Sequence, residues 1–145
     1  MKKIVDYISR IRRFNRFYTR INGINNQYTD STEFSSTEAQ ILYEIGFQDH
    51  PTASILCSYF DLDKGYLSRI LKKFVKQDLI KKTYLEDDKR VFTLELTEPG
   101  RALLDDLIHL SNTIVESKIK KIPEEELNKV LDSMEYIEGI LSKYY

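Results

Sequence analysis

Residues 63–90 constrain the fold of this chain more than any other segment, because their apolar spacing changes from that of a helix to that of a strand. Between positions 64 and 82 the sequence has seven cations and a single anion. In the first half, apolar side chains recur at intervals of three and four residues, which places them on one face of a helix. These are Leu67, Ile70, Leu71 and Phe74. The spacing predicts a helix that buries this face in a small domain and leaves its cations outside.

Beyond this helix the spacing between apolar residues shortens to two positions. Residues 79–85 and 91–96 are rich in β-branched and aromatic side chains, and the charged segment 86–90 separates them. Alternation of this kind, interrupted by a short polar segment, is typical of two strands joined by a turn. The sequence therefore predicts a β-hairpin with a charged tip.

Two short helices with capping signals precede the cationic helix. Ser35 and Glu38 have the spacing of a capping box, Thr52 is placed to cap the next helix, and Asp63 is placed to cap the cationic one. Residues 46–51 are predicted to end the first of these helices. The apolar stripe of the first helix is Ala39, Ile41, Leu42 and Ile45, and the second helix runs through Ile55, Leu56 and Tyr59. A turn of about three residues joins the last two helices, which matches the helix-turn-helix pattern.

Together with the hairpin as a wing, these helices predict a winged helix-turn-helix lobe over residues 33–97. Three long amphipathic helices are predicted outside it, the first over about residues 3–22, the second after Thr97 and the third after Pro123. The polar segment 22–34 is predicted to be a loop. The predicted fold class is mainly α with a small β-hairpin wing, in one domain spanning residues 1–145.

The apolar stripes of the long helices need a partner. A second copy of the chain supplies one if the helices of residues 1–24 and 98–145 interleave as dimerisation helices around a two-fold axis. The alternative is a helical bundle within one chain.

The charge distribution predicts a polyanionic partner, although the formal net charge is only −1. Residues 1–20 have seven cations and one anion, residues 21–63 have seven anions and no Lys or Arg, and residues 91–145 have eleven anions and six cations. Charges act locally, within a Debye length of about 10 Å. Two basic segments are therefore able to bind a nucleic acid while the rest of the chain repels it.

Several other classes of function are not expected. The sequence has no apolar run long enough for a membrane span and no signal peptide, so a cytoplasmic protein is predicted. Cys57, the single cysteine, is predicted to be a buried structural thiol, with a redox-sensing thiol as the alternative. His50 and His109 lack further ligands at metal-site spacing. No motif of an enzyme or a cofactor site is present, so neither enzymatic activity nor a cofactor is predicted.

The order of elements and three motifs resemble the MarR family of bacterial winged-helix transcriptional regulators over nearly the whole chain. The motifs are DKGYLSRIL at residues 63–71, the pair Asp88-x-Arg90 in the hairpin and LTEPGR at residues 96–101. More narrowly, RRFNRFYTR at residues 12–20 and GYLSRIL at residues 65–71 are similar to the MarR-type module of proteins that fuse it to a GNAT acetyltransferase. No acetyltransferase is expected in a chain of 145 residues. One departure is Asp78, where the family often has glycine; aspartate also tolerates turn conformations.

The resemblance implies a transcriptional regulator, in most cases a repressor, that binds a pseudo-palindromic operator in double-stranded DNA as a homodimer. It places the cationic helix in the major groove and the wing arginine at the adjacent minor groove. The implied DNA-binding residues are Lys64, Gly65, Tyr66, Ser68, Arg69, Lys72 and Lys73 on the helix, and Asp88, Lys89 and Arg90 at the wing tip. The resemblance also implies a pocket for a small aromatic or anionic effector between the dimer helices and the DNA-binding lobe, with the tyrosines and arginines of the first helix as candidates to line it.

The chemistry of these residue types fits the implied roles. Gly65 lets the helix N-terminus approach phosphates, and Arg69 has the donors for guanine or phosphate. Asp88 is expected to accept hydrogen bonds from Arg90 or from loop amides. The alternatives are a salt bridge for Arg69, a half-buried position for Tyr66 and a wing tip of solvated charges. A protein-interaction winged helix that does not bind DNA is the competing function, and it predicts an apolar or neutral outer face on the cationic helix.

Overall fold

The computed structural model describes residues 1–22 and 31–145, which contain six helices and a two-stranded antiparallel sheet. The elements are α1 Lys2–Asn22, α2 Ser36–Phe47, α3 Ala53–Phe60, α4 Lys64–Lys76, β1 Ile80–Tyr84, β2 Phe92–Leu96, α5 Glu98–Ile119 and α6 Glu124–Leu141. The predicted mainly α fold with a hairpin wing is confirmed. The loop predicted over residues 22–34 lies mostly outside the described residues. The chain divides into two compact units, Met1–Leu107 and Ile108–Tyr145.

The core of the first unit contains the apolar faces of α2 and α4, as predicted. The buried residues of these two helices are Ala39, Ile41, Leu42, Ile45, Leu67, Ile70, Leu71 and Phe74. Phe74 has no exposed surface, and its ring centroid lies 6.3 Å from that of the buried Phe34. Burial of this stripe fixes the orientation of α4, so its opposite face must point to solvent.

In α3 only one of the three apolar positions that indicated the helix is buried. Leu56 is fully buried, but Ile55 and Tyr59 are 49% and 62% exposed. The less exposed residues of this eight-residue helix are Ala53, Leu56, Cys57 and Phe60. They have the three- and four-residue spacing of one helix face, which leaves Ile55 and Tyr59 on the other.

The predicted side-chain caps begin α2, α3 and α4. The Ser35 hydroxyl accepts a hydrogen bond from the Glu38 amide at 3.1 Å, and the Glu38 carboxylate accepts one from the Ser35 amide at 2.9 Å. Thr52 Oγ1 accepts from an amide in the first turn of α3 at 3.3 Å. Asp63 Oδ2 accepts from the Tyr66 amide at 3.1 Å. These local bonds satisfy amides that have no partner within their own helices.

Helix α2 continues through Gly46 and ends at Phe47, within the segment 46–51 that was predicted to end it. A Cβ atom at Gly46 would lie 2.7 Å from a side-chain atom of Leu104 and 2.8 Å from one of Leu96. The glycine at this position therefore permits close packing of α2 and does not end the helix.

Helix α4 ends in a Schellman motif with Asp78 in the left-handed conformation, at φ 57°. The Asp78 amide donates to the Val75 carbonyl at 3.0 Å, and the Leu79 amide donates to the Phe74 carbonyl at 2.9 Å. Glycine is the usual residue at this point of the motif. The resemblance leads us to expect glycine at this position, and Asp78 adopts the same turn geometry.

Replacing Asp78 with glycine is expected to stabilise the protein by about 1 kcal/mol. A side chain in the left-handed region costs roughly 1–2 kcal/mol, and the greater freedom of glycine in the unfolded chain offsets part of the gain. Urea denaturation measures the change. The control is Lys76→Gly, in the last turn of α4, which should lose about 1 kcal/mol. Equal losses in both variants would contradict the account of this turn.

The wing is an antiparallel hairpin with Lys82 opposite Leu94 in its register. The segment before α3 lies along β2, an arrangement that the sequence did not predict. The Leu94 amide donates to the Pro51 carbonyl at 2.9 Å, and Thr52 forms an isolated bridge with Thr93. This contact ties the start of the helix-turn-helix to the wing.

The long helices keep apolar side chains at their surfaces. In α1, Ile4, Ile8 and Ile11 are 56%, 50% and 60% exposed. In the second unit no residue of α6 is buried, although its sequence has a regular apolar stripe. Among the described residues, no helix is long and apolar enough to cross a membrane.

Candidate nucleic-acid interface

The outer face of α4 is exposed along its whole length and mostly polar, with Val75 as an apolar residue near its end. The predicted site residues that it displays are Lys64, Gly65, Tyr66, Ser68, Arg69 and Lys72. The fold brings these six together because the stripe that includes Leu67 and Leu71 is buried on the opposite face. α4 therefore has the layout of a helix that docks on its own domain and presents donors and cations to a partner.

The guanidinium of Arg69 lies on this face beside Tyr66, with Cζ 5.9 Å from the ring centroid. No carboxylate of the described residues lies within ion-pair distance of Arg69, so the salt-bridge alternative has no support there. Tyr66 is 37% exposed. Its ring rests on the edge of the polar face and its side chain is reachable from solvent.

Gly65 has a second role that the sequence did not reveal. A Cβ atom at this position would lie 3.0 Å from Oδ2 of the capping residue Asp63 and 4.0 Å from a terminal nitrogen of Arg69. The absence of a side chain leaves room for the cap as well as for an approaching backbone. Because Asp63 already accepts from the Tyr66 amide, as predicted for the cap, that amide is not free to donate to a phosphate.

Lys73 was predicted to contact DNA, but its ammonium group is bound within the protein. Its Nζ donates to both carboxylate oxygens of Glu38 at 3.0 and 3.1 Å and to the Glu33 carbonyl at 3.5 Å, and it lies 4.8 Å from the centroid of the Phe34 ring. Its position in α4 turns it away from the outer face and towards the start of α2. Lys73 thus joins α4 to α2, an arrangement that does not favour the predicted contact with DNA.

Cross-strand pairing neutralises Lys81, a second cation of residues 64–82. Lys81 Nζ lies 3.1 Å from the carboxylate of Glu95, its partner in the hairpin register. The hydrogen bond from Lys81, helped by its charge and by that of His50, lowers the pKa of Glu95 below its ordinary value of 4.5. Two of the seven cations between residues 64 and 82 are therefore neutralised by carboxylates, and the remaining five have no such partner among the described residues.

At the wing tip, Asp88 organises the turn by accepting a hydrogen bond from the backbone amide of Arg90 at 2.9 Å. The Asp88 carbonyl also accepts from the Val91 amide at 3.0 Å. Of the two partners predicted for this carboxylate, the structure has the loop amide and not the guanidinium. The side chains of Lys89 and Arg90 are exposed and free to meet a partner.

A recess of about 320 Å³ lies between α3, α4 and the hairpin. Lys64 and Ser68 of α4 line it together with Lys82 and Arg90 of the hairpin. The helix and the wing therefore present cations to one concave surface. Lys82 was missing from the predicted site, although strand alternation places it on the opposite face from Lys81.

Cys57 also lines this recess and is only partly buried, which corrects the prediction of a buried thiol. It lies on the inward face of α3, but the recess leaves that face open next to the hairpin. Among the described residues, no group of three or more His, Cys, Asp and Glu side chains has a geometry suited to a metal ion.

Comparisons with known proteins agree with this fold. The model of the MarR family matches residues 34–92. The HTH-type transcriptional regulator SarZ of Staphylococcus saprophyticus is 24% identical over 132 residues, covering 89% of this chain and 87% of that protein. SarZ of Staphylococcus epidermidis is 27% identical over 124 residues, covering 83% of each.

Solved structures show the same fold. Wild-type MarR of E. coli in its apo form has a TM-score of 0.72 at 19% identity, covering 88% of this chain and 93% of that chain. FabT of Streptococcus pneumoniae in complex with DNA has a TM-score of 0.69 at 22% identity, covering 99% of each.

The fold and the matched sequences define the class of this protein as a winged helix-turn-helix regulator of transcription. Within that class its winged lobe, from residue 34 to residue 92, is similar to the MarR family.

Proposed function

We propose that the protein binds a pseudo-palindromic operator as a homodimer, with α4 in the major groove and the wing tip at the adjacent minor groove. The observation that supports this most directly is that the cations of residues 64–82 divide into two groups, those paired with carboxylates and those left unpaired. Those of the outer face, such as Lys64 and Lys72, have no carboxylate partner among the described residues, whereas Lys73 and Lys81 are neutralised. An exposed unpaired row of cations is the footprint of a polyanion-binding surface.

Each residue of the outer face has a distinct role in this proposal. Lys72 and Lys64 contact phosphates, which gives affinity without sequence preference. Arg69 and Ser68 reach base edges, where hydrogen bonds distinguish the bases. Arg90 enters the minor groove, whose negative potential is strongest where it is narrow.

The exposed apolar stripes of α1 and α6 support a dimer as the binding unit. A stripe such as Ile4, Ile8 and Ile11, each at least half exposed, is stabilised when a second apolar surface covers it. A two-fold dimer also presents two copies of α4 to one face of the duplex, about one helical turn apart. The resemblance makes two further predictions. One is release from DNA by a small effector, and the other is kinship with the modules fused to GNAT acetyltransferases.

The competing function, a winged helix that binds only a protein partner, requires a neutral or apolar outer face on α4. The outer face has Lys64, Arg69, Lys72 and Lys76 instead, all exposed. This observation favours DNA.

Selection of bound duplexes from random-sequence DNA tests the proposal. We expect enrichment of an inverted repeat with half-sites about 10 base pairs apart. The control is a full-length chain with Arg69→Ala and Lys72→Ala, which should enrich no sequence under the same conditions. Failure of the wild-type chain to enrich any sequence would contradict the proposal, and enrichment of a single unrepeated site would contradict its symmetry.

A further inference from the structure

The side chain of Arg69 lies against the turn of α4 that precedes it. Helical side chains point towards the N-terminus of their helix, so each covers the positions three and four residues before it. For Arg69 these positions are Tyr66 and Gly65. Its Cζ lies 5.9 Å from the centroid of the Tyr66 ring, and one terminal nitrogen lies 4.0 Å from the point that a Cβ atom of Gly65 would occupy. The guanidinium therefore lies over the first turn of α4.

Gly65 leaves open the space that this conformation of Arg69 uses. A Cβ atom there would already be in van der Waals contact with the guanidinium, so a longer side chain would compete with it for the same surface. The backbone of this turn is held by the cap, because Asp63 Oδ2 accepts a hydrogen bond from the Tyr66 amide at 3.1 Å. The guanidinium thus has a rigid turn of backbone beneath it.

The ring of Tyr66 supplies the contact that restricts the guanidinium. A cation within about 6 Å of a ring centroid is attracted by the negative face of the ring. An arginine side chain has many rotamers, and a contact that limits them before binding lowers the entropy lost on binding. Tyr66 is therefore placed to act on Arg69 as well as on any partner of α4.

We propose that Gly65 and Tyr66 position Arg69, so that its guanidinium faces the bases from the N-terminal end of α4. The inference rests on the DNA binding proposed above and gives these two residues a role within it. In helix-turn-helix proteins the N-terminal residues of the reading helix contact the base edges. Arg69 belongs to the second turn of α4, and its conformation brings the guanidinium back to that end. There its planar group is able to make the paired hydrogen bonds that distinguish guanine.

Direct contact with DNA is the other role open to Tyr66. In that role the hydroxyl would bond a phosphate, or the ring would stack on a base, and the effect of Tyr66 would not depend on Arg69. The contact in the structure joins the ring to the guanidinium. Phenylalanine would keep such a contact and leucine would not, so the two roles differ in their response to substitution.

Substitutions of Tyr66 in the full-length chain test the positioning role. Tyr66→Leu removes the ring, whereas Tyr66→Phe keeps it and removes the hydroxyl. Each is made alone and together with Arg69→Ala, which gives a double-mutant cycle. The cap of α4 uses the backbone amide of Tyr66, so all of these variants retain it.

We expect Tyr66→Leu to weaken binding to the selected operator about two- to fivefold, the effect of losing an exposed cation–π contact. It should also relax the preference at the same base position as Arg69→Ala does. Tyr66→Phe should bind as wild type. When Arg69→Ala is already present, Tyr66→Leu should have no further effect. Binding isotherms on operators with single-base changes measure all of these results.

A measurement without DNA tests the arrangement within the protein. NMR relaxation of the Arg69 Nε–Hε group should show an ordered side chain in wild type and in Tyr66→Phe, and a mobile one in Tyr66→Leu. Arg90 is the internal control, since its side chain is exposed and makes no cation–π contact among the described residues.

Equal losses in Tyr66→Leu and Tyr66→Phe, or the same loss from Tyr66→Leu with and without Arg69, would overturn the positioning role in favour of a direct contact with DNA. Unchanged operator binding in Tyr66→Leu, or an Arg69 side chain as mobile as that of Arg90 in wild type, would overturn it outright. A wild-type chain that prefers no sequence would overturn the proposed function and this role together, which the wild-type isotherms reveal before any variant is compared.

Discussion

Replacing Gly100 with alanine is expected to destabilise the winged lobe by about 4–5 kcal/mol, near the upper limit for one substitution. The added Cβ would lie 1.9 Å from the carbonyl oxygen of Leu79 and 2.8 Å from its carbonyl carbon. Both are backbone atoms, so no side-chain rotation relieves the clash. The turn after α4 and the first turn of α5 would have to separate.

The same junction has three hydrogen bonds, and the two that join Thr97 to the turn after α4 would break on such a separation. The Thr97 amide donates to the Leu79 carbonyl at 3.0 Å, and the Gly100 amide donates to the Thr97 hydroxyl at 3.0 Å. The Thr97 hydroxyl in turn donates to the Asp78 carbonyl. Thr97 therefore caps α5, as the sequence predicted, and also attaches it to the end of α4.

Gly139→Ala is the matched control for Gly100→Ala. A Cβ atom at Gly139 would meet nothing within 4 Å. In the interior of an exposed helix, alanine is better than glycine by up to about 1 kcal/mol. Chemical denaturation should therefore show a large loss for the first variant and a small gain for the second. Wild-type stability in Gly100→Ala would contradict the close approach of α5 to Leu79.

Removing Arg69 is expected to weaken binding to the selected operator by about 1–3 kcal/mol and to relax the preference at one position of each half-site. The side chain is exposed beside Tyr66 and has no carboxylate partner among the described residues, so Arg69→Ala should not disturb the fold. Binding isotherms on operators with single-base changes measure both effects. An equal loss on every sequence would make Arg69 a phosphate contact.

The wing should behave differently from the helix. Arg90→Ala is expected to weaken binding most when the flanks are rich in A·T pairs, because a narrow minor groove attracts an inserted arginine. Asp88 bonds the backbone amide of Arg90 at 2.9 Å, so the loop keeps its shape when the guanidinium is removed. Duplexes that differ only in their flanks test this. A loss that is independent of flank composition would place Arg90 outside the groove.

Features of the fold that depend on near neighbours were predictable from the sequence. The caps at Ser35, Thr52 and Asp63 join residues three apart, and the buried stripe of α4 follows from helical spacing alone. Neither requires knowledge of the tertiary structure, so both were correct.

Features that depend on distant partners were not predictable. Lys73 looked like any other cation of α4, and only the fold places Glu38, 35 positions away, beside it. The same holds for Lys81, whose neutralisation requires the register that puts Glu95 opposite it. Nor does the sequence show that Ile55 and Tyr59 face outward, because a helix of eight residues has too few turns to show which of its faces is inward.

The most direct test of the DNA-binding account is a salt titration of binding for Lys72→Ala and Lys73→Ala on operator and scrambled duplexes. The two lysines are neighbours in sequence, but only Lys73 is held by Glu38. Lys72→Ala should reduce the slope of log affinity against log salt by about 0.9 for each phosphate that the variant no longer neutralises, hence by nearly two for a dimer.

Lys73→Ala should leave that slope unchanged on both duplexes and lower the stability of the fold by about 1 kcal/mol. Such a result would confirm that the outer face of α4, and not the segment as a whole, meets the phosphates. An unchanged slope in Lys72→Ala together with a reduced slope in Lys73→Ala would contradict the proposed interface.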